Sequence, residues 1–131
     1  MVTNRSITTV APRPGPGARS EGDDPPQFLI VHAIAISNDG FVYVADREYG
    51  RIQIFTIDGE FVDQMFMPRN ARGNARAGDV AFSADPQQEF MYVTAGAQIV
   101  VIRRRSLEIL YSFSGSGHHI ATDSEGNLYT A

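Results

Sequence analysis

Two histidines and one arginine carry the chemistry that this 131-residue sequence offers. His32, Gly78 and His118 stand at equivalent places in three successive repeats, 46 and 40 residues apart, each just before a short apolar strand. Imidazoles therefore occupy alternate repeats. If the repeats are blades of a six-bladed ring, alternate blades are related by about 120° around the axis, and a third histidine two blades earlier would complete a three-fold set. Three imidazoles with one open position form the arrangement of a catalytic zinc, which polarises a bound oxygen as a Lewis acid. The plainer alternative is that His32 and His118 are channel-lining loop residues with local hydrogen bonds. In Gly117-His118-His119 either ring can face the axis. Arg47, in "ADREYGR", is the third candidate, because its guanidinium can hold a carboxylate or carbonyl in bidentate geometry. Its neighbours read as structural: Asp46 is expected to accept backbone amides in the turn, and Arg51 to pair with an acidic side chain.

The elements that must position these residues follow from the repeat. "VHAIAISNDGFVYVADREYGRIQIFTIDGEF" (31–61) is replayed by "GDVAFSADPQQEFMYVTAGAQIVVIRRRSLEILYSF" and by "HHIATDSEGNLYTA". Aligned on Tyr43, Tyr92 and Tyr129 the units are 49 and 37 residues apart; aligned on Ile34, Val80 and Ile120 they are 46 and 40. Both routes span 86 residues, so the second unit carries a three-residue insertion around Pro86 to Glu89. Short strands at a period of roughly 40–50 residues mark propeller blades. Alternation predicts strands at Val31–Ile36, Phe41–Asp46, Arg51–Thr56 and Phe61–Phe66, then Val80–Ser83, Met91–Ala95, Gln98–Arg103 and Ile109–Phe113. A third unit starts at Ile120 and enters its second strand at Asn127. The fold class is all-β: a β-propeller, here about two and a half blades (27–68, 69–114 and an incomplete 115–131). A propeller closes with about 4–8 blades, so the chain is expected to be a fragment that needs the remaining blades of the same propeller as partners. Residues 1–26 read as one outer strand of a preceding blade (Val2 to Val10) and a Pro/Gly-rich linker (Ala11 to Pro26).

Composition excludes several function classes. A net charge of −4 gives no basic face for nucleic acid. Zero cysteines exclude disulfides, thiolate metal sites and cysteine nucleophiles. No apolar run approaches the roughly 18–20 residues of a membrane span, and "MVTNRSITTV" lacks an apolar signal core. "SGSG" (114–117) lacks the spacing of a nucleophile elbow and is followed by no Lys-Ser/Thr of a phosphate loop. Asn4-Arg5-Ser6 fits a glycosylation sequon. Arg103-Arg104-Arg105 reads as a solvated run that blunts an outer strand edge. Asp39, Asp123 and Glu125 read as hairpin-turn residues.

"HAIAIS…GFVYVAD" and "VADREYGRIQIF" resemble NHL repeats. More specifically, residues 27–131 resemble the central part of the peptidyl-α-hydroxyglycine α-amidating lyase propeller and its bacterial relatives, through "VHAIA", "ADREYGRIQ", a variable blade and "GHHIATDSEGNLYTA". The resemblance covers about 100 residues. It implies a six-bladed propeller with a channel zinc held by three histidines from alternate blades, two of them matched by His32 and His118. Arg47 matches the family's active-site arginine. The implied reaction cleaves a peptide ending in α-hydroxyglycine to a peptide amide and glyoxylate, with a tyrosine base, in a family often secreted or periplasmic. The chain departs from the pattern in three ways. The first zinc histidine and the tyrosine belong upstream of Gln27, and residues 1–26 supply neither. Val31 and Gly117 replace the proline before each histidine. His119 stands where the family's structural calcium takes an aspartate, so the sequence does not supply that calcium ligand. The alternative is a non-catalytic NHL scaffold that presents its loops to protein or other partners.

Overall fold

In the computed structural model, residues 28–70 and 76–131 are described; the expected outer strand, linker and sequon of residues 1–26 lie outside them. Ten strands form three antiparallel sheets. The first is β1 (Val31–Ile36), β2 (Phe41–Asp46), β3 (Arg51–Thr56) and β4 (Phe61–Phe66). The second is β5 (Val80–Phe82), β6 (Phe90–Ala95), β7 (Gln98–Arg103) and β8 (Glu108–Ser114), and β9 (Ile120–Thr122) pairs with β10 (Leu128–Thr130). Strands neighbour one another in chain order, as consecutive hairpins dictate. These are two propeller blades and the inner two strands of a third.

The two complete blades share a defect that confirms their common build. Pairing slips between Ile54 and Phe55 on β3 and between Val101 and Ile102 on β7, equivalent places in the two meanders. Such a bulge increases the twist of the outer strand.

Strand alternation then decides which face packs where. Tyr43, Ile52, Ile54 and Met65 of blade one meet Phe82, Met91, Val93 and Val100 of blade two in one buried cluster. The opposite face of blade two buries Ala81 and Ile99 against Ile120 of the third sheet. The hairpin Ser37–Phe41 needs glycine at its corner, because Gly40 has φ +85°. Gly126 fills the same role, with φ +87°, in the third sheet.

Strand ends differ from expectation by one residue where side chains compete for the backbone. Ser83 drops out of β5 because its hydroxyl turns to Asp85 and accepts the Phe90 amide. Asn127 precedes β10 because both its backbone and side-chain amides donate to Asp123, at 2.9 Å each.

The arginine run is the larger correction. Arg103 and Arg105 are solvated, but the Arg104 side chain is 2% exposed. It leaves the end of β7 and turns into the seam between blades one and two. There it donates to both Asp39 carboxylate oxygens (2.9 and 3.0 Å), to Tyr43 Oη (3.1 Å) and to the carbonyls of Gln87 and Gln88 (2.8 and 2.7 Å). These five bonds use the five N–H groups of a guanidinium. The insertion serves the same seam. Gln88, held at φ +48°, accepts the Asn38 amide through Oε1 at 2.7 Å, and Asn38 Nδ2 donates to the Pro86 carbonyl at 3.2 Å.

Candidate functional site

At the opposite end of that seam, the start of β1 is irregular. Val31 pairs with Asp46 and Ala33 with Ala45, so His32 is an extra residue opposite no partner. A bulge of this kind re-aims a side chain. His32 Nδ1 reaches across the seam to the Gly78 carbonyl at 2.7 Å. The carbonyl can only accept, so Nδ1 carries the proton and Nε2 of the neutral ring keeps its lone pair.

Gly78 explains why the second repeat has no histidine at this place. A Cβ there would lie 2.5 Å from Thr94 Oγ1. That hydroxyl is fixed where it is by the Asp79 amide, which donates to it at 2.8 Å, while the Gly78 amide donates to the Thr94 carbonyl at 2.8 Å. Blade two thus supplies a backbone carbonyl where its neighbours supply imidazoles.

His118 comes from the third sheet. Its amide donates to the Ala131 carbonyl at 2.6 Å, and its ring centroid lies 5.7 Å from that of His32 at 65°. His119 turns elsewhere: its side chain is 77% exposed and its Nδ1 is 3.5 Å from Asp79 Oδ2. The His118 ring is therefore the one beside His32. A proline in place of Gly117 would not fit, because a Cβ there would sit 2.9 Å from Thr130 Cβ and 3.0 Å from the Ala131 carbonyl oxygen.

The "ADREYGR" turn divides into a brace and a free arm. Buried Asp46 accepts the amides of Leu29 and Ile30, both at 3.1 Å, and Arg51 grips its other oxygen through Nε and a terminal nitrogen at 3.2 and 3.1 Å. Burial pushes the Asp46 carboxyl up, against the opposing pull of those amides and Arg51. The brace fixes the residues leading into β1, and with them His32. Arg47 is anchored by its amide to the Ile30 carbonyl at 2.9 Å, and its side chain meets Glu48 at 3.2 Å.

His32, Arg47, Gly78, Thr94 and His118 line one cavity of about 220 Å³, together with Arg76. The candidate residues spread over 86 positions of sequence thus share one concavity. Arg76 carries no mark in the sequence, because it is one of three arginines in the glycine-containing run 69–78 before β5. The glycine at the histidine position was visible; its carbonyl partner was not.

The two imidazoles suit a tetrahedral metal ion in part. Metal–nitrogen distances of about 2.0–2.1 Å place two ligating rings with centroids about 5 Å apart, close to the separation observed. A ligating histidine commonly donates its other N–H to a carbonyl, as His32 does to Gly78. Among the described residues no group of three His, Cys, Asp or Glu side chains surrounds one point. The described residues thus offer two imidazoles at a compatible separation and no third side chain.

Comparisons with known proteins agree on the fold. Residues 28–55, from the approach to β1 through most of β3, match the NHL repeat. Among solved structures, the chain is similar to U3-55K (16% identity, TM-score 0.56, 74% of this chain and 31% of that one). It is similar to the RRP9 WD40 repeats at the same identity and TM-score, covering 30% of that chain. It is also similar to the Kuenenia stuttgartiensis hydrazine synthase (12% identity, TM-score 0.64, 89% of this chain and 31% of that one). The chain spans about a third of the length of these structures, and at such identities the likeness concerns the fold. A search of curated protein sequences gave no match.

Proposed function

We propose that this stretch of NHL-repeat propeller supplies two zinc ligands, His32 and His118, and a substrate-orienting arginine, Arg47, to a lyase acting on peptides that end in α-hydroxyglycine. The observation that carries this reading is their convergence on one cavity, with His32 held by the Gly78 carbonyl in the tautomer that leaves Nε2 free. Zinc, when bound, supplies Lewis acidity toward the substrate hydroxyl. The chain's own residues do the rest that can be assigned. Gly78 orients His32, the Asp46–Arg51 brace fixes the approach to β1, and Arg47 aligns the substrate through its guanidinium. In the overall reaction the hydroxyl gives up its proton and its oxygen forms a carbonyl. The carbon–nitrogen bond breaks and the departing nitrogen takes a proton, leaving a peptide amide and glyoxylate.

The second reading is a non-catalytic NHL scaffold for protein partners, which requires no metal-ligating side chains in the channel. Elemental analysis of the protein, purified with all of its natural flanking sequence, separates the two. Near one zinc per chain, lost in His32→Ala and in His118→Ala, is the result expected of the lyase reading and justifies assaying glyoxylate release. Zinc absent, or indifferent to both histidines, leaves the scaffold.

A further inference from the structure

The cavity that holds the two histidines has an electrostatic character unlike the rest of the chain. The chain carries a formal charge of −4, yet the ionisable residues lining this cavity are His32, Arg47, Arg76 and His118, with no carboxylate among them. Among the described residues Arg47 has one ion-pair partner, Glu48, which meets its Nε at 3.2 Å in a pair about one-third exposed on both sides. So open a pair holds its partner weakly. Arg76 makes no ion pair among the described residues. Among the described residues, two guanidiniums against one carboxylate leave a single positive charge unpaired, facing a concavity whose walls focus its field.

The placement adds to the charge argument. Arg47 comes from the β2–β3 turn of blade one, Arg76 from the segment entering blade two, and Ser116 from the segment entering the third sheet. The cavity, at about 220 Å³, is smaller than the roughly 300–1,000 Å³ of pockets that enclose a drug-sized ligand. It suits the end of a molecule. A guanidinium fork matches a carboxylate geometrically, and one uncompensated charge matches a monoanion better than a phosphate dianion.

We infer that Arg76 and Arg47 together form a subsite for the carboxylate end of a small ligand, with Arg76 as a binding residue contributed by the second blade. The inference shares the cavity of the lyase reading and stands independently of its zinc.

Calorimetric titration of the metal-free protein with N-acetylglycine, and separately with inorganic phosphate, tests it in wild type, Arg76→Gln, Arg47→Gln and Arg105→Gln. Arg105 is a suitable control because it is 75% exposed at the far end of the seam. The expected result is N-acetylglycine binding that weakens at least five-fold in Arg76→Gln and in Arg47→Gln, is unchanged in Arg105→Gln, and exceeds phosphate binding. An amide fingerprint spectrum of each variant verifies that the fold is retained. No binding by wild type, an Arg76→Gln variant that binds normally, equal loss in Arg105→Gln, or tighter binding of phosphate would each overturn the inference. Carboxylate binding that needs Arg76, where elemental analysis of the untreated protein finds no histidine-dependent zinc, sinks the lyase reading alone. Histidine-dependent zinc with an indifferent Arg76 sinks this inference alone.

Discussion

The two ends of the seam between blades one and two each hold a cavity, of about 190 and 220 Å³, and each is lined by arginines. They are otherwise opposite. At one end Arg104 is buried and all five of its N–H groups are bonded within the protein. At the other, among the described residues, the Arg47 side chain meets one surface glutamate and Arg76 has no ion pair. Cavity size does not separate the bonded Arg104 from the two arginines proposed to bind a ligand. Hydrogen-bond saturation does: a guanidinium whose donors are all used has none left for a ligand.

The sharpest way to break this contrast is to remove one arginine from each end. Arg104→Met strands the Asp39 carboxylate and two carbonyls in the seam. Asp39 is about a third exposed, which screens part of the loss, so the expected destabilisation is about 2–3 kcal/mol. Arg76→Met is expected to stay within about 0.5 kcal/mol of wild type. Urea denaturation of both variants decides; equal losses would dissolve the distinction.

Gly78→Ala comes next in size. The new Cβ must displace Thr94 Oγ1 or move the backbone, at a cost of about 1–3 kcal/mol. The shift carries the carbonyl away from His32, so imidazole nitrogen spectra should show His32 losing its single Nδ1–H tautomer. Adding Thr94→Ala should recover part of that tautomer, which a general loss of folding would not allow.

Protonation sharpens the contrast further. Asp39 resists acid: burial alone would raise its pKa, but Arg104 and Ser37 hold it below 3.8. Because the folded value is depressed, the stability contributed by the seam is complete above the unfolded value and is lost as pH falls through the folded one. Carbon-detected carboxyl titration should place Asp39 below 3.8 and, in Arg104→Met, move it upward. Asp123, bonded by the Asn127 side chain and amide, should titrate at about 2, and Asp46 above 3.8. The smallest effect expected is at the mouth. Glu48→Gln should leave stability within about 0.5 kcal/mol and tighten N-acetylglycine binding about two-fold, since an exposed pair is worth little.

Most of the fold was legible because blade strands are local. Alternation marked all four strands of blade one at their observed ends, and the turn glycines marked the corners. The roles of Asp46 and Arg51 were legible for the same reason, since they lie five residues apart. Arg104 was not: its partners Asp39 and Tyr43 are 65 and 61 residues away, and three consecutive arginines look alike in one dimension. The repeat placed His32 and His118 at equivalent points, but choosing His118 over His119 needed the ring positions. Arg76 escaped because nothing local distinguishes a loop arginine that faces a cavity from one that faces water.

The sequential order of strands within each sheet also has a bearing on time. Every hairpin closes a short loop and can form early, whereas the latch between Arg104 and Asp39 joins residues 65 apart, and contacts of that separation wait for two preformed meanders to dock. Removing the latch should therefore leave the refolding rate nearly unchanged and hasten unfolding. The seam acts as a brake on the return journey, setting how long the two blades stay together once they have met.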